Sequence, residues 1–418
     1  MLTVFQSPPS TSRKSYLARM DWIEPLSARA VQDFVFENEQ ADPRKLVLQH
    51  KTLAGLPAPM VAQQLAGRRK AKAKLPQWYA TRGIVYPPTL NLEQSSSQAT
   101  ALFKAAFLKH ASSQQVLADL TGGFGADSFF FSQQFETVTY VEPDANLLAI
   151  ARHNHQRLGM HTINYVHATA EAYLAASPAA VFYLDPARRD ALARKVVKLA
   201  DCTPDCTQLQ SQILKNSEWL LVKASPLLDI QQGLRELPNT KTVLALSVEN
   251  EMKELLLLVQ RGHSAATQIR AIDLHANGEV NWEFAFTHTE EATAILHYSE
   301  PLAYLYEPGA AMLKAGAFKR TAQHFQLEKL APNTHLYTSH HLISDFPGRT
   351  FRIEHLNPTE EHLKELLPER RAHVAVRNYP LTAQQLMKKL RLQEGGNSFV
   401  WGFSGTRKKY LALCQRLR

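Results

Sequence analysis

Asp119-Leu120-Thr121-Gly122-Gly123-Phe124-Gly125-Ala126-Asp127 decides how this 418-residue chain is read. It follows the apolar run Val116-Leu117-Ala118 and leads into a stretch, 126–134, of helical character. Glycines at a strand-to-helix turn allow tight backbone geometry and close approach to a ligand. A second apolar run, 138–141, ends in Glu142. Further strand-like runs at 163–166, 181–184, 219–222 and 243–248 alternate with helical stretches. One of these, 145–158, places Leu147, Leu148 and Ala151 on a single face. Strands separated by helices of about 10–15 residues imply a parallel, doubly wound α/β sheet.

Two ligand classes use such a turn. A dinucleotide wants Gly-x-Gly-x-x-Gly, with its pyrophosphate at the helix N-terminus. Here Gly123 and Gly125 supply the first pair, but Ser128 stands in the third place. Asp119, at the end of the first strand, adds a charge that would repel a pyrophosphate. The same charge attracts the ammonium and sulfonium of S-adenosylmethionine. Electrostatics therefore favour S-adenosylmethionine over a nicotinamide dinucleotide. Glu142 is placed to accept both ribose hydroxyls.

The second chemical signal is Phe182-Tyr183-Leu184-Asp185-Pro186-Ala187-Arg188-Arg189. An apolar strand ends in Asp-Pro at the carboxyl edge of the sheet, where open α/β sheets bind ligands. Asp185 can accept a hydrogen bond from an exocyclic amine about to be methylated. Pro186 fixes the backbone so that neighbouring carbonyls can face that amine. The plain alternative is a strand-ending turn with a solvated arginine pair. Its place downstream of the glycine motif favours the functional reading.

The order Asp119, Gly123, Gly125, Glu142, Asp185-Pro186 resembles class I S-adenosylmethionine-dependent methyltransferases. The glycine motif together with Asp185-Pro186-Ala187-Arg188-Arg189 resembles, more narrowly, the bacterial group with a C-terminal THUMP-like domain. Leu92-Glu93-Gln94-Ser95-Ser96-Ser97, Lys223-Ala224-Ser225-Pro226-Leu227-Leu228-Asp229-Ile230 and Asn378-Tyr379-Pro380 resemble the same group. The likeness runs from about residue 25 to the end. It implies a helical N-terminal region (1–88), a Rossmann-like class I methyltransferase core (89–290), a small ferredoxin-like domain (291–345) and a THUMP-like tail (346–418). It also implies S-adenosyl-L-methionine held by Asp119, Thr121, Gly123, Gly125 and Glu142, with Gln94 and Thr169 as further contacts. Asp185, Pro186 and Arg188 would meet the acceptor. THUMP domains bind RNA, often on tRNA-modifying enzymes, so tRNA or rRNA is the implied partner.

Two departures from that pattern stand out. Thr169, in His167-Ala168-Thr169-Ala170-Glu171, occupies the place of an acid that meets the adenine amine; a hydroxyl can still accept a hydrogen bond. Ala187 and Arg188 replace the second proline and the stacking aromatic of nucleic-acid amino-methyltransferases. An arginine plane can also stack on a base. The rival readings are an RNA-binding protein with a vestigial cofactor pocket and a methyltransferase for a protein or small molecule. An NAD-dependent oxidoreductase is the most distant.

Charge supports a polyanionic partner. Net charge is +9 overall. Residues 1–110 carry +8, residues 111–370 carry −8, and residues 371–418 carry +9 with Glu394 as their one acid. Basic ends flanking an acidic middle suit phosphate contact. In the N-terminal stretch, Arg68, Arg69, Lys70, Lys72 and Lys74 precede Trp78 and Tyr79. Such a run can grip a backbone and stack a base. Alternatively, it is a helix face whose aromatics plug the next domain.

Hydrophobic residues make up 45% of the chain and charged residues 20%, which excludes wholesale disorder. The N-terminus shows no apolar signal region, and no stretch is long enough to span a membrane. Three cysteines cannot build a disulfide scaffold, so a reducing, cytoplasmic setting is expected. Cys202 and Cys206 lack a second pair at zinc spacing and are read as surface residues. His340-His341 would point apart on a strand. Ser247-Val248-Glu249-Asn250-Glu251 reads as a turn between a strand and a helix. His275-Ala276-Asn277-Gly278 between two apolar runs predicts a hairpin. One helix is expected over 308–318.

Overall fold

The computed structural model describes residues 22–175, 179–188 and 198–417, the side chain of Arg188 excepted. It divides into two compact units, Met1–Ala187 with Cys202–Leu221, and Arg188–Asp201 with Val222–Arg418.

The first unit holds helices α1 (Arg29–Glu37), α2 (Ala58–Lys74) and α3 (Gln98–Ser112), then alternating strands and helices. These are β1 (Val116–Asp119), α4 (Ala126–Phe131), β2 (Thr137–Val141), α5 (Ala145–Arg157), β3 (Ile163–Val166), α6 (Ala170–Leu174) and β4 (Val181–Leu184). The strands are parallel, in the order β4-β1-β2-β3. Every residue of β4, Val181-Phe182-Tyr183-Leu184, is buried. That is what a parallel strand covered on both faces requires. Strand β5 (Trp219–Ala224) starts in this unit and ends in the second.

Residues 83–86 run without regular structure, yet their backbone polar groups are paired by side-chain amides. Gln32 accepts the Gly83 N–H at 3.0 Å. Asn154, on α5, accepts the Val85 N–H at 2.9 Å and donates to the Val85 carbonyl at 2.8 Å. Gln64, on α2, does the same for Tyr86 at 2.7 and 3.0 Å. These three buried amides stand in for a neighbouring strand, as buried backbone groups demand.

The basic stretch of α2 is used within the chain. The Arg68 guanidinium lies 3.5 Å from the Phe36 ring centre and 4.0 Å from that of Tyr79, and reaches Glu39 at 3.8 Å. Arg69 donates to the Ala41 carbonyl at 2.6 Å, Lys72 meets Glu39 at 3.4 Å, and Lys70 pairs with Glu93. Lys74 donates to the Glu93 carbonyl at 2.5 Å. Trp78 is fully buried, with its ring 4.9 Å from Phe129 and 5.8 Å from Phe130 on α4. Trp78 plugs the core beside the glycine loop, while Tyr79 stacks on Arg68 and the cations brace the N-terminal helices.

In the second unit, β6 (Thr240–Val248) and β7 (Glu251–Gln260) form an antiparallel hairpin. Its turn residues Glu249 and Asn250 have φ of +50° and +63°. The helix expected after residue 251 is therefore a strand. Leu255-Leu256-Leu257-Leu258-Val259 is buried on both faces, a pattern that cannot be told from a buried helix by periodicity. Strand β8 (Gln268–Leu274) is parallel to β6, and β9 (Val280–Thr287) returns antiparallel through the expected Asn277-Gly278 turn. The helix expected over 308–318 is shorter, Ala310–Ala315, ending at Gly316 with φ +79°, and a further helix, Lys319–Phe325, follows beyond that range.

A seven-stranded sheet follows. It comprises β10 (Tyr304–Pro308), β11 (Glu328–Ala331), β12 (Thr334–Ser339), β13 (Gly348–Leu356), β14 (His373–Arg377), β15 (Ser398–Ser404) and β16 (Lys409–Arg416). Their order is β11-β12-β10-β13-β16-β15-β14. One core gathers Phe351, Trp401, Phe403 and Ala412; another gathers Leu363, Leu367, Val400 and Leu413. Buried Glu307 on β10 pairs with Arg349 of β13 and Arg377 of β14.

Cys202, Cys206 and Cys414 are buried thiols outside any disulfide, not surface residues. Free cysteine packs as a small apolar side chain. Among the described residues no helix is long and apolar enough to cross a membrane.

Candidate cofactor and acceptor site

The glycine loop leaves β1 at its carboxyl end and is organised around two acids. Asp119 is 1% exposed. One of its oxygens accepts the Thr121 N–H at 3.0 Å, the other the Ser128 hydroxyl at 2.5 Å. Ser128, in the place of a third glycine, thus fastens the first turn of α4 to the end of β1. Glu142, just past β2, accepts the Gly123 N–H at 2.8 Å and the Asp144 N–H at 2.9 Å.

Two glycines in this loop have left-handed backbones, for different reasons. Gly123 has φ +54°, and a Cβ there would meet only the Thr121 carbonyl oxygen, at 3.7 Å. Gly125 has φ +85°, and its Cβ would fall 2.6 Å from Nε2 of His155. The space at Gly123 is open; the space at Gly125 is filled by the protein.

Further residues hold the loop from beneath. The buried Tyr140 hydroxyl donates to the Gly123 carbonyl at 2.6 Å. His155, fully buried on α5, contacts the Gly125 carbonyl through Nε2 at 2.9 Å and the Tyr165 hydroxyl through Nδ1 at 2.9 Å. A carbonyl only accepts, so Nε2 carries the proton and Tyr165 donates to Nδ1. The sequence reading missed both residues; nothing in the motif points to a histidine 30 positions downstream.

Burial shapes the electrostatics. It pushes the Asp119 carboxyl up to about 7, with Asp127 and Asp185 adding to the rise and the Ser128 and Thr121 hydrogen bonds opposing it. Glu142 is raised, again chiefly by burial, against the bonds from Asp144 and Gly123. His155 is pushed down to about 4 by burial. A buried carboxyl in this state gains from a cation brought beside it. The open cradle at Gly123, the two acids and that need for a cation fit an adenosyl sulfonium amino acid.

The Asp185-Pro186 motif meets this loop directly. The Asp185 N–H donates to the Thr121 hydroxyl at 2.6 Å. Asp185 and Pro186 are half-buried at the carboxyl end of β4. The structure therefore brings together Asp119, Thr121, Gly123, Gly125, Glu142 and Asp185. Thr169 lies past β3 and caps α6, accepting the Ala172 N–H at 3.3 Å. Gln94 is exposed at the end of the helix Thr89–Gln94. The side chain of Arg188 lies outside the described part. Among the described residues no cluster of metal-binding side chains occurs.

Comparison with known proteins places this arrangement. Residues 304–347 match a ferredoxin-like domain family, and residues 348–416 a THUMP domain-like family. A crystal structure from Porphyromonas gingivalis W83, described as a "putative methyltransferase", is 31% identical. It superposes with a TM-score of 0.81 over 93% of this chain and 98% of its own. A crystal structure from Listeria monocytogenes, described as a "putative class i s-adenosylmethionine-dependent methyltransferase", is 11% identical, with a TM-score of 0.36 over 61% of this chain and 94% of its own. No curated protein matches the sequence. The fold is that of a class I methyltransferase with added C-terminal modules. The chain belongs to the family of the Porphyromonas protein: class I S-adenosylmethionine-dependent methyltransferases of the bacterial group with a C-terminal THUMP-like domain.

Proposed function

We propose that this chain methylates structured RNA, tRNA or rRNA, in the cytoplasm, using S-adenosylmethionine. The observation that carries the reading is the Thr121–Asp185 hydrogen bond, which joins the cofactor loop to the acceptor motif. Residues 89–290 form the catalytic region in this proposal. Asp119 faces the cationic end of the cofactor, Gly123 and Gly125 shape its cradle, and Glu142 accepts the ribose hydroxyls. Gln94 and Thr169 are outer contacts. The cofactor supplies an activated methyl group. The protein's work is alignment, holding acceptor and donor in line. Asp185 orients the acceptor by accepting a hydrogen bond, with Pro186 fixing that backbone and Arg188 assigned to the substrate.

RNA contact is assigned chiefly to the C-terminal part. The cations of α2 already have partners within the chain, as described above. Lys388, Lys389, Arg407 and Lys409 are exposed, and among the described residues none is in an ion pair. Free surface cations are what phosphate contact needs.

The test uses purified protein, radiolabelled S-adenosylmethionine, and tRNA and rRNA from a strain lacking the gene. RNA from the intact strain is the control, since its site is already filled. Label entering only the deletion-strain RNA is the expected result and identifies the pool. Cofactor binding with no label in any RNA would overturn the RNA assignment. A non-RNA acceptor or a vestigial pocket would then replace it, the latter in keeping with Ala187-Arg188 after Asp185-Pro186.

A further inference from the structure

Behind the glycine loop lies a buried ion pair that the proposed chemistry does not use. Lys104 on α3 has no exposed side-chain surface, and its Nζ lies 3.0 Å from Oδ1 of Asp127. Asp127 belongs to the first turn of α4, two residues past Gly125. Three further bonds close the cluster. Lys104 donates to the Ser96 hydroxyl oxygen at 2.6 Å. The Ser96 hydroxyl and the Tyr183 hydroxyl both donate to Oδ2 of Asp127, at 2.7 and 2.8 Å. Four segments therefore meet at one carboxylate: the turn 95–97, α3, the helix opened by the glycine loop, and β4 just before Asp185.

Burying two charges costs more than burying apolar groups of the same size, so a pair like this is weak evidence for stability. Its directional bonds do something apolar packing does not: they fix where each segment sits relative to the others. Asp127 is tied to Gly125 through one turn of helix, and Tyr183 to Asp185 through two residues of extended chain.

We infer that Lys104 and Asp127 are positioning residues, setting the place of the Gly123–Gly125 loop against β4 and holding the turn 95–97 to it. The inference rests on the cofactor reading above and adds residues to it. Preorganising a binding loop through locked neighbours raises affinity without any direct contact.

The experiment compares wild type with Tyr183→Phe, which deletes one hydroxyl, and with Lys104→Met/Asp127→Leu, which replaces the pair by apolar side chains. S-adenosylhomocysteine affinity is measured by calorimetry, folding by thermal melting, and loop order by amide hydrogen exchange at Gly123 and Gly125. The expected result is a double variant that still folds, melting somewhat lower because the Ser96 and Tyr183 hydroxyls lose their acceptor, and binds on the order of tenfold more weakly. Exchange at both glycine amides should quicken, and Tyr183→Phe should show the same changes in smaller degree. Unchanged affinity and exchange in a folded variant would overturn the inference. If the double variant does not fold, Tyr183→Phe decides by the same two readouts. Wild type that binds no S-adenosylhomocysteine would sink the cofactor reading instead, while the exchange rates still judge the positioning role.

Discussion

Thr121 and Asp185 are 64 residues apart in sequence and joined by a 2.6 Å hydrogen bond from the Asp185 N–H to the Thr121 hydroxyl. The threonine hydroxyl thus ties the glycine loop to the Asp185-Pro186 turn. Thr121→Val keeps the shape and removes the acceptor. An unpaired N–H costs about 1–3 kcal/mol, so the Asp185 backbone should relax. We expect turnover to fall roughly tenfold or more, with S-adenosylhomocysteine affinity changing less. Equal losses in both would show that the hydroxyl serves the cofactor alone.

Asp185→Ala should abolish turnover and leave cofactor affinity nearly intact, because the side chain is assigned to the acceptor and not to the loop. Equilibrium binding set against single-turnover methylation separates the two. A parallel loss of affinity would return Asp185 to the cofactor site.

The two left-handed glycines should fail differently. Gly125→Ala drives a methyl group against His155 and strains the backbone, so it should destabilise the fold by several kcal/mol. Gly123→Ala meets open space, and only the backbone penalty of about 1–2 kcal/mol applies. Its methyl group would stand in the cofactor cradle. A lowered melting temperature for the first and weak cofactor binding with a near-normal melt for the second are the expected pair.

Asp119 should make cofactor binding pH-dependent. Its folded-state carboxyl titrates at about 7, above the ordinary value of 3.8. The folded chain therefore holds a proton that the unfolded chain has lost, and this group's contribution to stability declines as pH rises from about 4 to 7. A cationic cofactor favours the ionised form. Binding below pH 7 should release a proton, and affinity should weaken as pH falls. Calorimetry in buffers of different ionisation enthalpy reads the proton directly, and Asp119→Asn should abolish it.

His155 has the opposite sign. Its imidazole is pushed from 6.5 down to about 4, so the neutral ring is favoured in the fold. That contribution is intact above 6.5 and is lost as pH falls toward 4, to the extent of about 3 kcal/mol. His155→Gln keeps a donor for the Gly125 carbonyl and cannot titrate. Its denaturation midpoint should fall less steeply than that of wild type over this window.

Much of the core was legible because its signals are local. Val116 to Asp127 contains a strand, a turn and a helix start within twelve residues, and the Asn277-Gly278 hairpin announces itself in two. The loop's supports were not legible. Tyr140 and His155 reach it from other elements, Lys104 reaches Asp127 on the helix that follows, and a single sequence holds no record of which faces meet. The strand at 251–260 was read as helix because an all-apolar run lacks a period. The basic stretch of α2 illustrates the same limit. Composition counts Arg68 as a surface charge, and only the fold shows it sandwiched between Phe36 and Tyr79.

The seven-stranded sheet has a bearing on how such proteins are dissected. The ferredoxin-like and THUMP-like families divide at residues 347 and 348, yet Tyr304–Pro308 on one side pairs with Gly348–Leu356 on the other. A cut at that boundary would strip a central strand bare and leave its amides to seek another chain. Glu307 would lose both arginines as well. What family names count as two modules would then melt in a single transition and could not be shuffled apart, and a fragment ending at the junction should precipitate rather than bind anything.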